Sequence, residues 1–581
     1  MADMALLAAR KHAGRTALRY KKGDTWIDVP FEEFGDVVRE TALGLIALGL
    51  EKGDRVSILA NTRPEWAYAC FAILSAGGVS VSIYQTNSPS EVQYVANHSE
   101  SKVIFVEDEE QLEKVRKCRA ELPHLEQIVI FEPSENSGED AIAFDELRAR
   151  GREREPVTLD ERIASVTAED SAIFIYTSGT TGPPKGVVLT HDNYRQVVNM
   201  TEQQGAFMDD DLVYLFLPLA HAFALLIQFV ATDLGAPIAY WEKDPQKIVP
   251  NLMEVRPTYF PSVPRIFEKI YTMATAAAPD RELLDKSVAV GFQVRQLLER
   301  GQEIPQELAT HFERAENELF QNVRNLFGGR VRHAVTGAAP IAKEILEFFY
   351  ACGVPIMEGY GMTETSTVAT VNTLEAFRFG SVGKPLPGVE IKIGDDGEVL
   401  LRGPNMMHGY YKNAEATTET LETDGWLHTG DLGYVDDDGF LFISGRKKDI
   451  IITAGGKNIT PANLENGLKQ NRWISQAIVI GDRRPYLVAL ITLDPEEVPK
   501  FAELHGIEPE DVHRSDAMRA EIQKVVDEVN EDYGRVEQIK KFAILPGDLS
   551  QEQGTLTPTL KVKRNVVNEQ FQAEIERLYG A

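Results

Sequence analysis

Cysteine is scarce in this chain, which has three cysteines in 581 residues, Cys70, Cys118 and Cys352. Their number and irregular spacing exclude a disulfide framework and give no support to a zinc site. The first residues, MADMALLAARKHAGR, also lack an apolar core of signal-peptide length. Both features predict a protein of the reducing cytoplasm.

Basic residues are outnumbered, with 60 Lys and Arg against 89 Asp and Glu, which gives a net charge of −29. This balance argues against a nucleic-acid partner, because phosphate backbones require a positive surface. It also means that a polyanionic substrate must be bound by locally placed cations and backbone amides. Strong electrostatic attraction to anionic lipid is disfavoured, although peripheral contact with the inner face of a membrane stays open, as does a homodimer.

Long uncharged runs are few, and one of them, Leu212 to Thr232, covers 21 positions, the length of a membrane span. It contains Pro218, His221 and Gln228, and its pattern changes from strand-like to helix-like. We interpret it as a buried strand, loop and helix rather than as a membrane span.

The length predicts at least two domains. Apolar strands at Arg55 to Ala60 and in VSVSIY flank a helix that begins at Pro64, which is a β-α-β unit. Further strand signals at Lys102 to Val106 and Ile128 to Phe131 extend a mostly parallel, helix-covered α/β sheet. The polar stretch Glu132 to Asp170 is interpreted as a surface connection.

Beyond this sheet the pattern of apolar and turn-forming residues changes twice. Apolar residues recur every three or four positions from Leu308 to Leu326, which predicts an inserted amphipathic helical pair. From Gly383 onward, Asp-Gly pairs between alternating runs predict hairpins. A second, smaller unit is predicted to begin near Arg446, in the run RKKD.

The segment Tyr176 to His191, YTSGTTGPPKGVVLTH, places hydroxyls, glycines and one lysine directly behind an apolar strand. Backbone amides and hydroxyls at such a strand end form a cradle for phosphate oxygens. A P-loop is the alternative, but it needs Ser or Thr after the lysine and a helix that begins there. Here Gly186 follows Lys185, so a P-loop is disfavoured.

Four other segments carry chemistry: TGAAPI at 336–341, EGYGMTETS at 358–366, GWLHTGD at 425–431 and LTPTLKVKR at 556–564. The small residues at 336–341 let a flat ring approach the backbone closely, and the segment 358–366 offers an aromatic face and a carboxylate that could bind a metal ion. The carboxylate at the end of 425–431 can accept hydrogen bonds from a ribose, and the segment 556–564 supplies a lysine. Each has a structural alternative as a core aromatic, a turn acid or a solvated cation. Together they predict a nucleotide site.

These motifs, in this order and with GRKKDIIITAGGKNI, resemble the adenylate-forming superfamily over essentially the whole chain. PTYFPSVPRIFEKIY at 257–271 and the C-terminal ending resemble its long-chain fatty acyl-CoA synthetases. The resemblance implies a large N-terminal domain, 1–445, of helix-covered, mostly parallel sheets with a small β-barrel-like part. It further implies a hinge at 446–448 and a smaller, mobile α+β lid domain at 449–581.

The resemblance implies ATP-dependent ligation of a fatty acid to coenzyme A through an acyl-adenylate, with Mg²⁺ as cofactor. The residues that it assigns to catalysis are Lys561, Thr363, Glu364 (also the metal ligand) and His221. The residues that it assigns to ATP or AMP are Thr177, Ser178, Gly179, Thr180, Thr181, Gly182, Lys185, Gly337, Ala338, Ala339, Glu358, Gly359, Tyr360, Gly361, Met362, Asp431 and Arg446. Because the ending departs from the commoner family pattern, Lys563 is the alternative to Lys561.

For the second half-reaction, the resemblance implies rotation of the lid about Lys448. The residues that it then assigns to CoA are Gly455, Gly456 and Lys457. Three alternatives stay open: a fatty acyl-AMP ligase, a ligase for aryl or medium-chain acids, and a catalytically silent fatty-acid-binding protein of the same fold. Acyl chain length is also left open.

Overall fold

The computed structural model describes residues 1–177, 183–276, 281–454, 457–557 and 561–580. The first elements along the chain are α1 (Met4–Lys11), β1 (Thr16–Lys22), β2 (Thr25–Pro30), α2 (Phe31–Ala47), β3 (Arg55–Leu59), α3 (Pro64–Ser75), β4 (Val79–Ile83), α4 (Pro89–His98), β5 (Ser101–Val106), α5 (Glu109–Cys118), β6 (Gln127–Ile130), β7 (Ala141–Ala143), α6 (Phe144–Arg152), α7 (Val157–Ser165), β8 (Ser171–Thr177) and β9 (Lys185–Thr190).

Next along the chain are α8 (His191–Gln203), β10 (Val213–Leu215), α9 (Ala222–Leu234), β11 (Ile238–Tyr240), α10 (Ile248–Val255), β12 (Tyr259–Ser262), α11 (Pro264–Ala276), α12 (Arg281–Glu299), α13 (Gln306–Ala315), α14 (Gln321–Leu326), β13 (His333–Thr336), α15 (Lys343–Cys352) and β14 (Ile356–Tyr360). A π-helical segment, Glu316–Phe320, joins α13 to α14. The stretch predicted as a helical pair thus contains α13 and α14, and the described part of the insertion between β12 and β13 also contains α11 and α12.

The remaining strands and helices are β15 (Thr370–Val371), β16 (Lys384–Pro385), β17 (Glu390–Ile393), β18 (Glu398–Arg402), β19 (Gly409–Tyr410), α16 (Ala414–Thr420), β20 (Leu427–Val435), β21 (Leu441–Arg446), β22 (Ile451–Ile452), β23 (Asn458–Ile459), α17 (Pro461–Lys469), β24 (Ile474–Ile480), β25 (Leu487–Leu493), α18 (Val498–His505), α19 (Asp516–Glu531), β26 (Ile539–Ile544), α20 (Arg564–Gln570) and α21 (Gln572–Tyr579).

Two large sheets form the N-terminal part. One has eight strands in the order β19-β9-β8-β4-β3-β5-β6-β7, and the other has nine in the order β16-β15-β14-β13-β12-β10-β11-β1-β2. Most of their strand pairs are parallel, such as β3 with β4 and β13 with β14, and antiparallel pairs such as β9 with β19 and β1 with β2 lie toward the ends of the sheets. The predicted α/β class with mostly parallel, helix-covered sheets is confirmed.

Two apolar helices link the cores of these sheets. All but one residue of α3 is buried, and α9 is buried along most of its length. The rings of Phe71 on α3 and Phe229 on α9 meet edge to face, with centroids 5.4 Å apart. The uncharged run is thus strand, loop and buried helix, as predicted, and no helix in the described part of the chain has both the length and the apolar character to cross a membrane.

The stretch 132–170 was predicted as a surface connection, and this prediction is wrong. It contains β7, α6 and α7, and Phe144, Leu147 and Leu159 are buried against the first sheet and α2. The prediction failed because the stretch is polar on average, whereas its few apolar residues recur at helical spacing.

Smaller sheets follow. Strands β17, β18, β20 and β21 form the region that was expected to be barrel-like, and it is a four-stranded antiparallel sheet with the predicted Asp-Gly hairpins. The C-terminal part has a three-stranded sheet, β24-β25-β26, with its own apolar core. The main core ends at Leu441 and the next begins at Ile451, so the predicted hinge, 446–448, lies in the interval between them.

Candidate active site

The glycine- and hydroxyl-rich loop joins two antiparallel strands. Thr177 at the end of β8 lies opposite Lys185 at the start of β9, and β19 pairs with the outer side of β9. Because a strand rather than a helix begins at Lys185, the P-loop alternative is excluded. The loop residues predicted to bind ATP that lie outside the described part of the chain are Ser178, Gly179, Thr180, Thr181 and Gly182.

Asp431 on β20 is held by two donors. The Tyr360 hydroxyl donates to Oδ2 over 2.6 Å, and Arg446 Nε lies 3.0 Å from Oδ1. Asp431 is 4% exposed, so its carboxylate is fixed in one orientation. Each oxygen keeps a further acceptor position for a ribose hydroxyl. The ring of Tyr360, predicted as a base platform, is thereby anchored through its hydroxyl.

Backbone of two neighbouring strands forms a flat wall beside Tyr360. A Cβ atom on Gly337 would lie 3.2 Å from the carbonyl oxygen of Gly359. Ala338, with φ of 69°, occupies the left-handed region, and Ala339 is exposed. Left-handed backbone at a non-glycine residue is costly and marks a turn whose shape is imposed by its surroundings. This wall suits close approach of a flat ring.

Glu358 lies on β14, on the same side as Tyr360. It is 8% exposed, and its Oε2 has no hydrogen-bond partner in the described part of the chain. Burial raises the pKa of this carboxyl to about 8. Glu358 is therefore mostly protonated near neutral pH and offers one hydroxyl donor.

The segment after Tyr360 is tightly wound. A Cβ on Gly361 would fall 2.2 Å from the Thr367 carbonyl oxygen, Thr363 begins a 3₁₀ turn, and Thr367 has φ of 104°. Thr367 Oγ1 donates to the carbonyl of Ala222 over 2.8 Å. This bond fastens the turn that carries Met362, Thr363 and Glu364 to the start of α9.

Glu364 is the carboxylate predicted to hold Mg²⁺. It is 7% exposed, and its Oε1 accepts a hydrogen bond from the Tyr410 hydroxyl over 2.8 Å. Its Oε2 has no donor among the described residues, where no cluster of three or more potential metal ligands occurs. One carboxylate oxygen together with substrate phosphates is the usual ligand set for Mg²⁺, so these residues fit the ion.

His221 caps the N-terminus of α9, where its Nδ1 accepts a hydrogen bond from Phe223 N over 3.3 Å. Burial lowers the pKa of His221 to about 4, with a smaller contribution from the positive charge of Lys561. The ring is therefore neutral near pH 7, and His221 and Lys561 lie within electrostatic range of each other.

Lys561 is held by two hydrogen bonds with Thr557: its N–H donates to Thr557 Oγ1 over 3.0 Å, and its carbonyl accepts from Thr557 N over 2.8 Å. The residue keeps solvent access, although protein crowds its amine. This crowding and the charge of Arg446 lower the pKa of Lys561 to about 8, and Asp431 and Glu364 act in the opposite direction. Lys561 therefore lies within electrostatic range of Arg446, Asp431 and Glu364.

Other predicted residues lie apart from this group. Lys448 is exposed, and Lys457 Nζ lies 3.5 Å from Glu537 within the C-terminal part. Gly455 and Gly456 lie outside the described residues. The structure thus groups the residues predicted for adenylation: Lys185, Tyr360, Thr363, Glu364, His221, Asp431, Arg446 and Lys561.

Sequence reasoning missed two residues that contact predicted ones: Tyr410, which donates to Glu364, and Thr367, whose N–H donates to the Met362 carbonyl over 3.1 Å. Thr367 comes directly after the motif EGYGMTETS, and the feature that sets it apart is its positive φ, which the sequence does not reveal. Tyr410 belongs to the segment HGYYKN, and its Gly-Tyr pair is the sequence feature that could have drawn attention to this tyrosine. Both act through contacts with residues distant in the chain, which no local pattern encodes.

Comparison with solved structures shows the same fold. An anthranilate CoA ligase, AuaEII, in complex with anthranoyl-AMP, superposes with a TM-score of 0.74 over 99% of this chain and 98% of that one. The two are 21% identical in sequence, so the likeness concerns the fold alone.

Sequence comparison identifies closer relatives. A Mycobacterium bovis protein named long-chain-fatty-acid–CoA ligase FadD15 is 39% identical over 96% of this chain and 93% of its own length. A Xenopus laevis protein named long-chain-fatty-acid–CoA ligase ACSBG2 is 34% identical over 98% of this chain and 82% of its own. Residues 7–411 match the AMP-binding enzyme family, and residues 448–581 match the C-terminal domain of AMP-binding enzymes. The chain belongs to the AMP-binding enzyme family.

Proposed function

We propose that this enzyme joins a long-chain fatty acid to coenzyme A, with ATP converted to AMP and pyrophosphate. The observation that carries the proposal is the position of Lys561, from the C-terminal part, within electrostatic range of Asp431, Arg446, Glu364 and His221. The relatives named long-chain-fatty-acid–CoA ligases support the choice of acid and of thiol. The proposal places the reaction in the cytoplasm, where ATP and CoA are available.

In the first half-reaction, a fatty carboxylate oxygen attacks the α-phosphorus of ATP, and pyrophosphate leaves with the electron pair of the broken bond. The obstacle is the approach of two anions. The Lys561 ammonium between them reduces this repulsion, and a charge positioned in this way lowers the barrier by several kcal/mol once the bound substrates exclude water. Neutral His221 lies beside the carboxylate without adding a charge of its own.

The remaining residues hold the nucleotide. Asp431 with Arg446 binds the ribose, Tyr360 and the wall at 337–339 enclose the adenine, and Thr363 contacts the α-phosphate. Lys185 and the loop at 177–182 hold the β- and γ-phosphates. Glu364 would hold Mg²⁺, which supplies positive charge to the phosphates when bound.

In the second half-reaction, the CoA sulfur attacks the acyl carbonyl carbon, AMP leaves, and the thiol proton passes to solvent. A lysine that lies over the α-phosphate obstructs the pantetheine arm. We infer that the C-terminal domain rotates about Lys448, which withdraws Lys561 and brings the segment 454–457 to the site.

The proposal is tested by ATP–pyrophosphate exchange over a panel of acids from short to very long, repeated with CoA to detect thioester. We expect exchange that is greatest with long-chain acids and a matching thioester product. Exchange without thioester would indicate an acyl-AMP ligase. A preference for short or aryl acids would show that the substrate is not a long-chain fatty acid. The absence of exchange with every acid would overturn the enzymatic proposal in favour of a binding protein.

A further inference from the structure

Tyr410 lies on β19, the strand that pairs with β9, and β9 begins with Lys185. It is paired with Val187 across the β19–β9 ladder, and the next residue, Tyr411, donates its N–H to the Gly186 carbonyl over 2.8 Å. The Tyr410 N–H donates in turn to Thr417 Oγ1 over 2.9 Å. Its backbone is therefore fixed relative to the phosphate loop by several hydrogen bonds.

The side chain of Tyr410 contacts two of the charged groups proposed for catalysis. Its hydroxyl donates to Glu364 Oε1 over 2.8 Å, and its ring centroid lies 4.7 Å from Lys185 Nζ. Tyr410 is 8% exposed. One buried phenol thus joins a carboxylate from the segment after β14 to an ammonium from β9.

The two contacts have different chemical consequences. A hydroxyl donated to a carboxylate is a charge-assisted hydrogen bond, which fixes the rotamer of Glu364 and occupies Oε1. Oε2 is then the oxygen that remains for a cation. The ring face attracts the Lys185 ammonium without neutralising it, because the ring carries no net charge.

Tyr410 contacts two groups of opposite charge that would attract each other if they met directly. A direct Lys185–Glu364 ion pair would take the ammonium from phosphate and the carboxylate from the metal. Among the described residues, Lys185 has no carboxylate partner within ion-pair distance, and Glu364 has no cationic one. Both charges are held by the phenol and stay available to a nucleotide and its cation.

We propose that Tyr410 is a positioning residue that keeps Glu364 oriented for the divalent cation and Lys185 available for the leaving phosphates. This inference rests on the proposed function, since it assigns Tyr410 to the same nucleotide site. It differs from a packing role, because the hydroxyl and the ring are assigned to different ligands, the metal and the phosphates.

Two variants separate these contributions. Tyr410→Phe removes only the hydroxyl, whereas Tyr410→Leu removes the ring as well. Tyr486→Phe is the matched control, because the Tyr486 hydroxyl donates to the Leu578 carbonyl over 3.1 Å and Lys541 Nζ lies 5.6 Å from its ring, all within the C-terminal part.

The primary measurement is Mn²⁺ binding to enzyme saturated with a non-hydrolysable ATP analogue, followed by electron paramagnetic resonance. We expect Tyr410→Phe to weaken Mn²⁺ binding about 10-fold, the usual effect of losing a residue that orients a metal ligand. Binding of ATP without metal, measured by equilibrium dialysis, stays within about twofold of wild type in Tyr410→Phe and weakens severalfold further in Tyr410→Leu. Tyr486→Phe changes neither.

A double-mutant cycle makes the test independent of general destabilisation. In a Glu364→Gln background, Tyr410→Phe should have no additional effect on Mn²⁺ binding, because the carboxylate it orients has gone. Equal Mn²⁺ binding by wild type and Tyr410→Phe, or an equal loss in the Glu364→Gln background, would overturn the inference. Because neither binding measurement needs an acyl acceptor, an enzyme that forms no thioester would overturn the proposed function and leave this result interpretable.

Discussion

In the proposed mechanism Lys561 has to be charged to reduce the repulsion between two anions, yet it lies where charge is costly. Crowding by protein and the proximity of Arg446 lower its pKa to about 8, while Asp431 and Glu364 partly compensate. A bound ATP adds negative charge, which favours the ammonium. The lysine is therefore poised to become fully protonated when the nucleotide arrives.

Replacing this lysine separates the two half-reactions. We expect Lys561→Ala to abolish pyrophosphate exchange while acyl-CoA formation from supplied acyl-AMP is largely retained, because the proposed second step proceeds with Lys561 withdrawn. Exchange and single-turnover thioester assays measure the two steps. Lys563→Ala serves as control and should lose neither, whereas equal loss of both activities in Lys561→Ala would contradict the assignment.

The pH dependence follows from the lowered pKa. Lys561 is protonated below its pKa of about 8, so kcat/KM for ATP in adenylation should fall as the pH rises through that value. His221, with a pKa lowered to about 4, is neutral throughout and adds no titration between pH 6 and 9. Lys561→Arg, which stays charged, should be slower but lack the alkaline decline. The same decline in Lys561→Arg would show that another group is responsible.

Helix α6 shows how an element can be misjudged from its composition. Gly151 lies at the crossing of α6 and α2, where an added Cβ would be 1.8 Å from the Glu40 carbonyl oxygen. The two helix backbones approach so closely here that only glycine fits without a shift of the helices. The crossing buries Phe144 and Leu147 and anchors the polar stretch 132–170 to the first sheet.

This close crossing makes a stability prediction. Gly151→Ala should destabilise the N-terminal part by about 2 kcal/mol, because the helices must move apart to admit a methyl group. Urea unfolding followed by circular dichroism measures the loss. Arg150→Ala, on the exposed side of α6, should stay within about 0.5 kcal/mol of wild type. Equal stability of Gly151→Ala and wild type would show that α6 is not packed as described.

The two parts of the chain meet in a defined orientation. Arg265 on α11 lies 2.7 Å from Asp494, and Lys269 lies 2.8 Å from Glu496, just after β25. Both pairs link the N-terminal and C-terminal parts while Lys561 is directed to the nucleotide site. They stabilise this arrangement of the two parts, and the rotation proposed for the C-terminal domain would require them to break.

Reversing one charge should therefore change the balance between the steps. We expect Asp494→Arg to slow pyrophosphate exchange about threefold, the scale of a partly exposed ion pair, without slowing thioester formation from acyl-AMP. The double variant Arg265→Asp, Asp494→Arg should restore exchange. The effect should shrink in 0.5 M salt, since exposed pairs are screened. Failure of the double variant to restore exchange would contradict this role of the pair.

Much of this architecture was predictable because it depends on local order. Strand–helix alternation indicated the parallel sheets, and the Asp-Gly turns indicated the hairpins at 396–397 and 438–439. The hydroxyl-rich loop, the Thr363–Glu364 pair and Asp431 were singled out as candidates for nucleotide binding from residue type and spacing, and their roles stay predictions. Helix α6 was missed because hydrophobicity averaged over a window hides a few buried positions.

The chemistry of each segment is thus encoded in its own residues, since propensity, turn type and functional groups are properties of neighbours in the chain. The assembly of those segments is different. Tyr410 reaches Glu364 across 46 positions, and Tyr360 reaches Asp431 across 71. Such contacts arise from the packing of the sheets and of the two parts of the chain, because only that packing determines which buried donor meets which charge.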